Sequence, residues 1–189
     1  MSDPEYCYPP SYKVLRNKLD IRDARQLDYF EREIVAQRTV EGAPSGDFDL
    51  KHLRSIHRHL FQDIYDWAGE IRTVEISKDS SQFQFRQYIE VGMADVHRRI
   101  VATDYLSGLD SDVFAAQAGK IMGDVNYIHP FREGNGRTQL LYLEQLCTRA
   151  GYLLDVRRLD PLQWIEASRR SHAGDYVLIA RCIAGAITS

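Results

Sequence analysis

The sequence has little cysteine, no long apolar run and no marked excess of either charge. Its three cysteines, Cys7, Cys147 and Cys182, are odd in number and show no CxxC spacing. That excludes a disulfide framework and a cysteine zinc site, and points to a reducing compartment. No stretch approaches the about 18 consecutive apolar residues of a transmembrane helix. The start, MSDPEYCYPP, lacks the basic-then-apolar order of a signal peptide. With 24 Lys+Arg against 27 Asp+Glu, the net charge of −3 argues against nucleic-acid binding through bulk charge. Internal repeats and low-complexity tracts are also missing. What is present, 189 residues of which 44% are hydrophobic, suffices for one self-supporting domain over 1–189. The expectation is a cytoplasmic protein with no nucleic-acid or membrane partner.

Most of the chain is patterned for helix. An irregular arm over residues 1–12 carries Pro4, Pro9, Pro10 and the aromatics Tyr6, Tyr8 and Tyr12. From Ala24 to Val40, Leu27, Phe30 and Ile34 fall three or four apart, and Gly42, Pro44 and Gly46 follow. Leu53, Ile56, Leu60, Ile64 and Trp67 repeat that spacing and predict a helix ending before Gly69. Helices are also predicted over Ile89 to Tyr105 and over Val113 to Tyr127, the latter followed by Pro130. Another runs from Gly134 to about Gly151, and Asp160-Pro161 opens one more as an N-cap with proline at the first helical position. Residues 71–85 differ: β-branched and aromatic residues flank the polar turn Lys78-Asp79-Ser80-Ser81, the pattern of a hairpin. The predicted fold is all-α, a helical bundle with one small β-hairpin.

Chemistry concentrates in Asn126 to Arg137, NYIHPFREGNGR, read as a helix end, a tight loop and a new helix start. Gly134 and Gly136 allow backbone conformations and close approaches that a Cβ resists. The free N–H groups and dipole of the following helix favour an anion. Asn135 adds a neutral donor and Arg137 a charged, bidentate one, as a polyphosphate requires. Glu133 is a hard oxygen ligand suited to Mg²⁺ on phosphate oxygens. His129 has an ordinary pKa near neutrality and suits a general base acting on a hydroxyl. Singly, each residue has a structural explanation, the glycines as a loop and the histidine as a cap. Together they describe a site for phosphoryl or nucleotidyl transfer.

The run His129-Pro130-Phe131-Arg132-Glu133-Gly134-Asn135-Gly136-Arg137 resembles the signature of Fic domains, H-P-F-x-(D/E)-G-N-G-R, at every position. Asp66-Trp67-Ala68-Gly69 and the Ile76-Ser77-Lys78 to Phe83 run resemble the bacterial stand-alone and effector members of that family. The resemblance implies a Fic-type helical bundle in which residues 71–85 form the β-hairpin flap. It also implies transfer of AMP from ATP to a Ser, Thr or Tyr hydroxyl of a target protein. On it, His129 is the base, Phe131 anchors the loop, and Glu133 holds Mg²⁺. Gly134, Asn135 and Gly136 form the anion hole, and Arg137 meets the β-phosphate. The flap, through Ile76, Ser77, Lys78, Asp79, Ser80, Ser81 and Phe83, docks the target by strand addition. Lys78 would also touch the nucleotide and Phe83 would clamp the target. The plainer alternatives for this pair are a solvated turn lysine and a hairpin packing residue.

Two departures from the family pattern stand out. Many Fic enzymes extend the signature to G-R-x-x-R, and here that second arginine is Leu140. A leucine cannot replace a guanidinium, whose charge-assisted contact is worth roughly 1.5–3 kcal/mol. The inhibitory motif (S/T)-x-x-x-E-(G/N) is matched only partly by Gln37 to Gly42, with Gln37 in place of Ser or Thr. The expectation is therefore no restraint within the chain, and an inhibitor, if any, in a separate small antitoxin-type protein. Transfer of phosphate, UMP or phosphocholine, or a catalytically weak binding module, remain alternatives, as does delivery into a host or neighbouring cell. His52, His57 and His59, near Asp63, lack metal-ligand spacing and read as surface or half-buried residues. The pairs Arg98-Arg99, Arg157-Arg158 and Arg169-Arg170 read as solvated faces, and His97 and His172 have no assigned place.

Overall fold

The computed structural model describes residues 3–78 and 81–188. The chain divides into two compact units, one of residues up to 44 with 54–70, the other of residues 45–53 with 71 onward.

In the first unit the N-terminal arm is organised by Asn17. This buried amide donates to the Leu15 and Ile21 carbonyls at 2.9 and 2.7 Å and accepts the Ile21 N–H at 3.0 Å. Side chain–backbone bonds thus fix a segment that forms no helix. Helix α1 (Ala24–Glu41) starts on Asp23, whose carboxylate accepts the Gln26 N–H at 2.9 Å. It buries Leu27, Glu31 and Val35, four residues apart on one face. The Glu31 carboxylate accepts the buried Tyr65 hydroxyl, which removes the cost of enclosing either group alone.

Helix α2 (Leu50–Phe61), which contributes residues 54–61 to this unit, ends at Phe61 and not near Trp67 as its apolar spacing predicts. The turn that follows explains the difference. Gly69 adopts φ +83°, donates its N–H to His57 Nδ1 at 2.8 Å and accepts from Arg54 Nε at 2.7 Å. Residues 62–70 therefore fold back along the helix, and Trp67 stacks on Tyr65 with centroids 4.3 Å apart. His57 is fully buried in this role, not half-exposed as the sequence suggests.

The second unit begins with strands β1 (Ser77–Lys78) and β2 (Ser81–Gln82), antiparallel with Ser77 opposite Gln82 and Lys78 opposite Ser81. Asp79 and Ser80, between them, lie outside the described residues. Then come α3 (Ile89–Ala102), α4 (Ser111–Ile128), α5 (Asn135–Ala150), β3 (Leu153–Leu154), α6 (Pro161–His172), α7 (Val177–Ala186) and β4 (Ile187–Thr188). Helix α3 stops short of Tyr105 because Asp104, Tyr105 and Leu106 all take positive φ. Helix α4, capped by Asp110, is buried on nearly every side and packs against α3, α5, α6 and α7. His52 is buried as well, accepting the Phe48 N–H at Nδ1 and meeting Gln145 Oε1 at 2.8 Å. Helix α7 and the β3–β4 pair are not anticipated by the sequence reading. No helix among the described residues is long and apolar enough to cross a membrane.

Helices α4 and α7 approach closely at glycines. A Cβ at Gly119 would meet the Ala180 backbone nitrogen at 3.0 Å, and one at Gly123 the Tyr176 ring at 2.6 Å. Gly185, within α7, has nothing within 4 Å of a Cβ. Gly123→Ala should therefore lose about 1–3 kcal/mol of stability, while Gly185→Ala should gain up to about 1 kcal/mol. Urea denaturation of the two variants checks this, and equal midpoints would contradict the packing.

Candidate active site

The site is built where α4 ends. His129 is its C-cap, in the left-handed region at φ 49° and ψ 62°, with its N–H donated to the Val125 carbonyl at 3.1 Å. For a residue with a Cβ that conformation costs roughly 1–2 kcal/mol. Three contacts hold it there. Arg72 Nε donates to the His129 carbonyl at 2.9 Å, His129 Nδ1 meets the Asn126 carbonyl at 3.0 Å, and the imidazole lies on the Phe83 ring with centroids 3.8 Å apart. A carbonyl only accepts, so the neutral ring carries its proton on Nδ1 and presents the Nε2 lone pair. Burial pushes the imidazole pKa down to about 4, against the opposing Asn126 bond and with help from the positive charges of Arg72, Lys78 and His172.

The loop after His129 braces itself. Phe131 is buried, its N–H donates to Asn135 Oδ1 at 3.0 Å, and Asn135 Nδ2 donates to its carbonyl at 2.8 Å. The Asn135 side chain, expected to act as a donor in the nest, is thus spent on the loop, and this residue offers its backbone N–H instead. Gly134 takes φ 81° and donates its N–H to Glu133 Oε1 at 2.9 Å, while Arg137 lies 3.6 Å from the same carboxylate oxygen. A Cβ on Gly136 would meet nothing within 4 Å, so the missing side chain leaves open space at the first turn of α5. The N–H groups of Asn135 and Gly136 precede the first intrahelical bond, which Thr138 makes to the Gly134 carbonyl at 3.1 Å, and sit at the positive end of the helix dipole.

That space belongs to a cavity of about 300 Å³. Lys78 and Phe83 line it from the hairpin segment, and His129, Glu133 and Gly136 from the loop and α5. Helix α6 supplies Trp164, Ile165, Ser168, Arg169 and His172. Lys78, Arg132 and Arg169 bring positive charge to the walls, against Glu133 as the one carboxylate among the described lining residues. Of the other residues singled out in the sequence, Phe131 lies in the core and Arg137 reaches the site through Glu133. The Ile76 carbonyl accepts the Phe83 N–H at 3.3 Å, extending the ladder in which Ser77 faces Gln82 and Lys78 faces Ser81.

The sequence reading missed two contributors. Arg72 has a fully enclosed side chain that donates to the carbonyls of Val74 at 2.9 Å, His129 at 2.9 Å and Gln84, and pairs with Glu75 at 3.1 Å. Its only signal was a lone arginine inside the β-patterned IRTV run. The α6 wall had a clearer one, since Trp164, Ser168 and His172 are four residues apart and share a helix face. His172 meets the Phe83 ring edge-on at 5.5 Å, and Arg169, exposed like Arg170 as the sequence suggests, also lines the cavity.

Two outcomes follow from this geometry. The His129 imidazole should stay neutral in NMR titration from pH 7 to pH 5, where an unperturbed histidine ionises near about 6.5. Because the folded pKa lies below the unfolded one, protonation of the unfolded chain should erode stability as pH falls from about 6.5 toward 4. A midpoint near the unperturbed value would show that the ring is not enclosed as described. Gly136→Ala should retain or gain stability, by up to about 1 kcal/mol, yet bind ADP at least about tenfold more weakly, the scale of one lost charge-assisted contact. Denaturation and calorimetry separate the two effects.

Known proteins resemble this chain in both sequence and structure. The Fic/DOC family profile matches residues 47–147. The probable protein adenylyltransferase y4lH of Sinorhizobium fredii is 41% identical over 181 residues, covering 95% of this chain and 93% of that protein. The probable protein adenylyltransferase Fic of Escherichia coli is 36% identical over 175 residues, covering 92% and 86%. Among solved structures, the N-terminal Fic domain of a VirB-translocated Bep effector from Bartonella quintana, with bound ADP, superposes with a TM-score of 0.90 at 26% identity, covering 100% of this chain and 96% of that one. The chain belongs to the Fic/DOC family and is an enzyme of the protein adenylyltransferase class.

Proposed function

We propose that the chain transfers AMP from ATP to a Ser, Thr or Tyr hydroxyl of a target protein laid along the hairpin. The observation that carries this reading is that one cavity is lined both by an imidazole with an open Nε2 and by Asn135 and Gly136 at the start of α5. The target hydroxyl oxygen attacks the α-phosphorus, its proton passes to His129 Nε2, and the bond from the α-phosphorus to the α–β bridging oxygen breaks as pyrophosphate leaves. The N–H groups of Asn135 and Gly136 face the charge that develops on the phosphate oxygens. Lys78, Arg132 and Arg169 supply cations for the outer phosphates. Leu140, in the place of the family's second arginine, is not among the cavity-lining residues, so that charge has to come from these other elements.

The residues present fit Mg²⁺. A single carboxylate beside a phosphate nest matches its habit of binding one or two carboxylates together with substrate oxygens, and Glu133 would hold it. When bound, the ion neutralises phosphate charge. The two-residue strands pair only with each other among the described residues, which leaves main-chain groups for an added target strand. A toxin-like or effector role is supported by the likeness to a translocated effector. Restraint by a separate small protein is supported by Glu41, whose carboxylate is held at 2.8 Å by Arg38 within α1.

Intact-protein and peptide mass spectrometry after incubation with Mg²⁺-ATP and a cell lysate tests the reading. A target should gain the mass of AMP, and His129→Ala should slow this by about 10²–10⁴-fold, the usual worth of a general base. Leu140→Arg should raise the rate by about ten- to a hundredfold. A gain from UTP or a choline-bearing nucleotide, with none from ATP, would replace AMP with another donor. No transfer from any donor by the wild type would favour a binding module.

A further inference from the structure

Four buried side-chain atoms find no hydrogen-bond partner among the described residues: Trp67 Nε1, His97 Nδ1, Arg99 Nε and Gln139 Nε2. Gln139 alone of these residues lines the cavity that contains His129. It is 6% exposed, and its Nε2 finds no hydrogen-bond partner among the described residues. An enclosed donor without a partner is costly, so it is satisfied by what occupies the cavity, water or a bound ligand.

Its position indicates what that is. On α5, Gln139 follows Gly136 by three residues and Asn135 by four, so all three share a face. Helical side chains lean toward the N-terminus, which carries the amide back toward the phosphate nest. One helical turn is about 5 Å, roughly the step from a nucleotide's α-phosphate to its sugar. Trp164 and Ser168 of α6 line the same cavity. An amide adds no charge for a phosphate but offers an NH₂ donor group and a carbonyl acceptor, the complement of sugar hydroxyls.

We infer that Gln139 recognises the nucleoside half of the bound nucleotide, through its ribose hydroxyls. The inference rests on the nucleotide reading above and adds to it a residue that separates nucleosides from bare polyphosphates. The test is calorimetric binding of AMPPNP, its 2′-deoxy and 3′-deoxy forms, and inorganic triphosphate to wild type and Gln139→Leu. Replacing an orphaned amide by a leucine should leave the apo melting temperature equal or higher. AMPPNP should bind about three- to tenfold more weakly to the variant, with triphosphate unchanged. One deoxy analogue should lose about the same factor on wild type and lose nothing further on the variant. Equal AMPPNP affinity in both proteins would overturn the inference, as would equal losses for AMPPNP and triphosphate. Losses on the variant that add fully to those of both deoxy forms would overturn the ribose assignment. If wild type binds neither ligand, the nucleotide reading itself fails. Gln139→Met, which keeps the volume with a flexible chain, serves if the leucine variant does not fold.

Discussion

The buried guanidinium of Arg72 is the interaction on which the site depends. Enclosing a cation is expensive, and it is tolerated only when nearly every donor is matched. Here the donors meet carbonyls from two directions: Val74 and Gln84 at the base of the hairpin, and Ile128 and His129 at the end of α4. Its own N–H donates to the Pro130 carbonyl at 2.9 Å, and Glu75 provides the opposite charge while also accepting the Arg86 N–H. One side chain thereby fixes the hairpin segment to the strained residue that carries the imidazole. Without it, several carbonyls and a left-handed His129 would lose what holds them.

The same charge also prepares the imidazole. Burial, joined by the positive potential of Arg72, Lys78 and His172, keeps the His129 ring neutral. A base with a pKa near 4 is a weak one, however, and a strong general base needs a value nearer the working pH. An arriving polyphosphate acts in the opposite sense, since nearby negative charge favours imidazolium. On the proposed function, the ligand would thus supply the field that strengthens His129 as a base. Glu133 fits the same logic. Its carboxylate accepts the Gly134 N–H and lies near Arg137, so it already satisfies groups that a phosphate would claim.

How much of this was legible in the sequence depends on how local each feature is. The signature loop was readable because its parts are contiguous and their backbone demands are strict: a left-handed glycine before α5, an open glycine within it, and a histidine stopped by proline. The helices with clean spacing and good caps, α1, α4 and α6, were readable for the same reason. Helix α7 was not, because it is short, lacks a capping side chain at its start, and buries only Ile179, Ile183 and Ala186 within a largely apolar run. The early end of α2 was hidden because Ile64 and Trp67 keep helical spacing while serving a turn that His57 and Arg54 hold from the side. Arg72 was invisible because its partners are remote in sequence, and the Asn135 side chain was misassigned because a donor amide reads the same whether it meets a ligand or its own loop.

The cavity's two sides differ in chemistry, and that difference makes sense of Leu140. Positive charge comes from Lys78 of β1, Arg132 of the loop and Arg169 of α6, while Gln139, Trp164, Ile165 and Ser168 are neutral. A ligand with a polyanionic end and an uncharged, flat and hydroxylated end would satisfy both. A second arginine one turn along α5 would concentrate the charge on one helix. Here the cations are spread over three elements, so a polyphosphate bound as proposed would draw the hairpin, the loop and α6 into one electrostatic unit. Holding the outer phosphates this way would trade a single strong bidentate contact for several weaker, partly solvated ones. Those weaker contacts depend on the hairpin being in place, and its place is set by Arg72.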